Sequence, residues 1–133
     1  MIKTLLLAVA TFSTAASAQP LTIHMGESWA FAVQHGQPVH AHRVKSSAKP
    51  EHGEIKATVT ALAGTSMTLT NNSGTGYSYK AQLIGASGKT SSRTCTLPPT
   101  AEPVLEYWPH KSTAVRLGNF QVAKGAGTCP QNR

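Results

Sequence analysis

Histidine and methionine gather near the start of the chain: His24-Met25, then His35, His40 and His42 within eight residues. Imidazole nitrogen and thioether sulfur suit Cu(II) and Cu(I), so the first chemistry this pattern points to is copper-type metal binding. On a β-strand His40 and His42 project from the same face, with His24 or Met25 as a further ligand. Hairpin geometry keeps His35 out of such a site. With Gly36-Gln37-Pro38 as a three-residue loop, His35 pairs with Val39 and His40 with Gln34. Trp29, Phe31, Val33 and Ala41 then face inward, and His40 and His42 face solvent. A two-residue loop would drive both histidines in among the aromatics. The metal reading is therefore a surface site on one strand.

A second constellation is Glu102, Glu106 and the segment Glu106-Tyr107-Trp108-Pro109-His110. Paired carboxylates across a cleft hydrolyse glycosides, but nothing in the sequence marks a cleft or a group that would orient the pair. Period-two alternation offers a different use. If Leu105 and Tyr107 are core, Glu106 and Trp108 face outward, beside a stiffening Pro109 and His110. An exposed Trp next to Pro has the composition of a binding anchor, with Glu106 and Arg116 as a polar rim. Ser46-Ser47-Ala48-Lys49 matches the Ser-x-x-Lys nucleophile motif. It lies in a polar loop before Pro50, whereas that chemistry needs a buried helix start, so the match is fortuitous. The chain contains no Asp, which excludes EF-hand loops, aspartic dyads and Ser-His-Asp triads in their usual form. No catalytic residues are assigned. Asn71-Asn72-Ser73 fits a glycosylation sequon but reads as a turn.

The elements that must hold these residues are strands. Alternation recurs along the chain, and after residue 18 no segment sustains a 3.6-residue period. Ser28 to Val33, Val39 to Val44 and Ile55 to Ala61 alternate clearly. Thr65 to Thr70, Tyr77 to Leu83, Lys89 to Leu97, Val104 to Trp108 and Ala114 to Val122 follow, separated by Gly-, Asn- and Pro-rich turns. Lys89 to Leu97 is Ser/Thr-rich and reads as an edge, and Gly118 as the mark of a bulge. Seven to eight strands of this spacing predict a small antiparallel β-sandwich of immunoglobulin-like type, with a small closed barrel as the other solution. In strand count and spacing the pattern resembles small exported immunoglobulin-like domains of bacteria. The expected core comprises Trp29, Phe31, Val33, Ile55, Val59, Met67, Leu69, Tyr77, Tyr79, Leu83, Leu105 and Leu117.

Residues 1–18 explain where such a domain works. Lys3, the apolar run Leu5 to Ala10 and Ala16-Ser17-Ala18 have the order of a cleaved signal peptide, leaving one domain from Gln19 to Arg133. The apolar run is too short to span a bilayer, so the expected product is periplasmic or secreted, without membrane insertion. In an exported chain Cys95 and Cys129 are expected to form one disulfide. Residues 19–133 carry eleven Lys and Arg against five Glu, a net charge of +6. The basic residues are scattered along the chain, which favours solubility as their role. No basic-aromatic interleaving points to nucleic acid. The expected function is non-catalytic binding or structure in a bacterial cell envelope, without cofactor, the partner being an envelope protein or a cell-wall glycan. Copper-type metal binding through His40, His42, His24 and Met25 is the alternative.

Overall fold

The computed structural model describes residues 19–86 and 92–123, with the backbone alone for 92–95. Residues 1–18, expected to be a signal peptide, and Cys129 lie outside the described residues, as does the side chain of Cys95. The described residues form nine strands: β1 (Leu21–His24), β2 (Ser28–Gln34), β3 (Gln37–Arg43), β4 (Ile55–Thr60), β5 (Thr65–Asn71), β6 (Tyr77–Ile84), β7 (Ser92–Leu97), β8 (Val104–Trp108) and β9 (Ala114–Val122). They form two antiparallel sheets, one in the order β1-β9-β6-β7 and the other β3-β2-β4-β5-β8. Apolar side chains from both sheets meet between them, so the architecture is a β-sandwich without helix among the described residues. Strand β1 was not anticipated from sequence. It pairs with β9 from Leu21↔Leu117 to His24↔Ala114 and buries Ile23. Strand β7 does lie at a sheet edge.

The core is built by alternation. Phe31, Ile55, Val59, Met67, Leu69, Tyr79, Leu83 and Leu117 are buried as their strand patterns require, and Trp29, Val33 and Tyr77 pack against them half-buried. Phe120 sits at the centre of an aromatic cluster, with ring centroids 5.7 Å from Phe31, 5.7 Å from Tyr79 and 6.0 Å from Tyr77. Strict alternation from Val115 and Leu117 would turn Phe120 outward. A register shift opposite Ser78–Lys80, with Asn119 at φ 52°, turns it back inside. An extra residue resets the faces of a strand, as a bulge does.

A second bulge corrects the expected β2–β3 register. The loop is two residues, His35-Gly36, with Gln34 paired to Gln37 and Ala32 to Val39. Both loop residues have positive φ (51° and 76°), as a type I′ hairpin turn requires. His40 then takes φ 53° and, with Ala41, opposes Phe31 alone, so that pairing resumes at Ala30↔His42. The short loop therefore does not force the histidines inward. His40 and His42 are exposed, and so is Ala41, which simple alternation would have placed in the core.

Strand β8 runs with the opposite parity to the one expected. Its register on β5 sets Thr65 against Trp108, Met67 against Glu106 and Leu69 against Val104. The β5 members of these pairs face the core, so Glu106 and Trp108 are buried at 1% and 0% exposure. Leu105 and Tyr107 are outside, at 63% and 42%. An aromatic as large as Trp gains much from full burial. The cost of taking Glu106 out of water is offset in part by the Tyr79 hydroxyl, which donates to its Oε2 at 2.6 Å.

Candidate binding cleft

The outward faces of β4 and β5 carry Lys56, Thr58 and Thr60 against Thr70, Thr68 and Ser66 in register. Inward residues on the same strands are Ile55, Ala57, Val59, Met67 and Leu69. Strand polarity thus stacks hydroxyl-bearing side chains on one surface of the sheet, where cross-strand Thr pairs are favourable. The connection 44–54 between β3 and β4 folds over this surface. Val44 N–H donates to the Ser28 carbonyl at 2.9 Å, and Asn72 Nδ2 donates to the Pro50 carbonyl at 3.0 Å. The Lys56 ammonium donates to the carbonyls of Ser46 and Ala48, both at 2.5 Å.

On the far side, residues 101–103 form a second wall, with Ala101 N–H donating to the Asn71 carbonyl at 3.1 Å. Between the walls lies a cleft of about 370 Å³, bordered by Lys49, Pro50, Lys56, Thr70, Asn72 and Pro103. It continues, through shared Lys56, Thr70 and Pro103, into a second hollow of about 270 Å³ along Ser46, Thr58 and Thr68. Burial lowers the pKa of Lys56 from the ordinary lysine value, because desolvation penalises its charged form. The two carbonyls at its Nζ favour that charge. Among the described residues, no acidic side chain borders either hollow. Hydroxyl, amide and ammonium groups in such a trough can donate to and accept from a polar ligand.

The residues singled out from sequence lie elsewhere. Trp108 and Glu106 are interior, whereas Pro109 and His110 are exposed beyond the end of β8. Arg116 is exposed on β9, in the other sheet. The fold therefore does not assemble these five residues into one surface. Thr65 Oγ1 donates to the His110 carbonyl at 2.7 Å, tying that segment down. Two of the histidines, His24 and His42, are engaged with carboxylates and backbone. His24 Nδ1 lies 3.4 Å from Glu27, and His42 Nε2 lies 3.6 Å from Glu54, with His42 Nδ1 3.0 Å from the His40 carbonyl. Met25 packs against the core. Among the described residues, no group of three or more His, Cys, Asp or Glu is placed to hold a metal ion.

Ser46 and Lys49 do border the trough, but Ser46 contributes its carbonyl to Lys56. Asn71, the acceptor position of the sequon, is fully buried, with Nδ2 donating to the Thr75 carbonyl at 2.7 Å. The cleft itself went unnoticed in the sequence. Its only linear signal is the Thr/Ser content of the polar parity of β4 and β5, which also describes any solvated sheet face. No helix among the described residues is long and apolar enough to cross a membrane. No family model, curated protein or solved structure matches this chain.

Proposed function

We propose that the chain is an exported, non-catalytic binding domain of immunoglobulin-like type in a bacterial cell envelope, and that the trough over Lys56 receives a cell-wall glycan strand. The observation that carries this reading is the continuous trough itself, floored by Lys56, Thr58, Thr68 and Thr70 and walled by Pro50 and Pro103. Sugar hydroxyls both donate and accept, as threonine hydroxyls do. Lys49, exposed at the rim, supplies charge for glycan carboxylates. Rigid strands and prolines limit the entropy lost on binding. Export rests on residues 1–18, and the intact mass of the exported protein, starting at Gln19, checks it.

Sedimentation with purified peptidoglycan sacculi tests the binding. The protein cosediments, and the double substitution Thr68→Val with Thr70→Val releases it into the supernatant at unchanged thermal midpoint. Absence of cosedimentation, or equal retention of the folded variant, overturns the glycan reading.

A further inference from the structure

The second sheet carries a separate feature on its outer surface. Strands β1, β6, β7 and β9 contain none of the five glutamates, which are Glu27, Glu51, Glu54, Glu102 and Glu106. Lys80 on β6 and Arg116 on β9 occupy adjacent central strands of this sheet. Register places Lys80 opposite Gly118 and Gln82 opposite Arg116, so the two cations are diagonal neighbours on one face. Long side chains reach one another at that spacing, and like charges held there repel. Both are exposed, and among the described residues neither has an ion-pair partner. The cations are scattered in sequence, and the fold sets this pair together on a sheet whose four strands contain no acidic residue.

Between them the surface is hollow. A groove of about 200 Å³ is bordered by Lys80, Gln82, Arg116, Gly118, Asn119 and Gln37. Gly118 provides the floor: a Cβ there would stand 2.8 Å from Gln37 Oε1 and 3.2 Å from Pro20. Gln37 Oε1 accepts from the Asn119 backbone N–H at 3.4 Å, which leaves the Gln37 amide NH₂ as a donor. The groove thus offers an ammonium, a guanidinium and side-chain amides, with no acidic residue on its border among the described residues. Its volume falls below the roughly 300–1,000 Å³ of pockets for drug-sized ligands, so a compact group fits better than a polymer.

We propose that this groove is a binding site for a phosphate group, with the Arg116 fork and the Lys80 ammonium on its oxygens and Gln82 and Gln37 completing the contacts. Guanidinium meets phosphate oxygens two at a time, and charge-assisted bonds of this kind are the strong ones. A bound phosphate also removes the repulsion between the two cations. The site is independent of the trough over Lys56, which lies on the other sheet.

Amide resonances followed during titration of the whole mature protein with sodium phosphate, at constant ionic strength, test the site. Saturating shifts are expected at Lys80, Gln82, Arg116 and Asn119. The double substitution Lys80→Gln with Arg116→Gln weakens binding about tenfold or more, equivalent to about 1.4 kcal/mol. The double substitution Lys45→Gln with Lys111→Gln removes equal charge at exposed positions outside the groove and leaves affinity unchanged. A parallel arm measures capture by phosphatidylglycerol against phosphatidylcholine vesicles. Response to inorganic phosphate assigns a soluble phosphate ester, and response to phosphatidylglycerol vesicles alone assigns a lipid headgroup. No response in either arm overturns the site, and so does equal weakening by both double substitutions.

Discussion

At the scale of single residues, β8 shows how one step of parity changes the meaning of a side chain. Trp108 has the linear context of a presented anchor, yet it is fully buried, while Leu105 lies 63% exposed on the same strand. Trp108→Ala should therefore cost about 3–5 kcal/mol, and Leu105→Ala should stay within about 0.5 kcal/mol, both read by urea denaturation. A small loss for Trp108→Ala together with a large one for Leu105→Ala would mean that the strand is turned over. Glu27 supports a second prediction. Its Oε1 accepts the His24 backbone N–H at 2.9 Å and the Trp29 indole N–H at 3.2 Å, and Arg43 lies 3.1 Å from Oε2. The His24 backbone bond is the main cause of a pKa below the usual carboxylate value, and partial burial opposes it. The stabilisation from a lowered carboxylate pKa is complete above the unfolded value of about 4.3 and is lost as pH falls through the lower folded value. Glu27→Gln should cost about 1 kcal/mol at pH 7. The difference from wild type should shrink as the pH drops below the carboxylate range.

At the scale of elements, turns and bulges set which residues face where. The β2–β3 hairpin closes with a two-residue loop, and the bulge at His40 then keeps His40 and His42 outside, as a longer loop would have done, but leaves Ala41 outside as well. The β4–β5 turn is coupled to β8 in a similar way. The Tyr107 hydroxyl donates to the Ala63 carbonyl, and Gly64 sits at φ +136°, where a Cβ would come within 2.4 Å of the Trp108 carbonyl oxygen. Gly64→Ala meets both backbone strain and a backbone clash, and should cost about 2 kcal/mol or more. Thermal unfolding measures the loss. Hydrogen exchange should locate it in β5 and β8, and a neutral Gly64→Ala would contradict this close approach.

At the scale of the whole molecule, two sheets share one core, and their outer faces differ in chemistry. The five-stranded sheet presents hydroxyls and a buried lysine under a folded-over loop. Among its described residues, the four-stranded sheet presents the neighbouring cations Lys80 and Arg116 and no carboxylate. Beyond the described residues, the Cys95–Cys129 disulfide remains the expected closure. Chain-entropy reasoning gives about 4 kcal/mol for a loop of this length, so Cys129→Ala should lower the thermal midpoint strongly. Alkylation before and after reduction reads the bond directly, and two free thiols in exported protein would exclude it.

The sequence by itself determined that this chain is a β-structure, because side-chain alternation and turn residues are local properties that need no knowledge of neighbours. Eight of the twelve residues expected in the core are buried for that reason, among them Phe31, Ile55, Met67 and Leu83. Local pattern could not choose the parity of β8, where both faces carry a large aromatic, and pairing with β5 decided it. Nor could it reveal the bulges at His40 and Asn119, whose extra residue has meaning only against a partner strand. Both proposed sites belong to the same class. The trough needs residues 46–50, β4, β5 and residues 101–103 to converge, and the groove needs Lys80 and Arg116 set side by side. Tertiary structure alone brings such distant positions together, because core burial fixes the register and the outer faces follow from it.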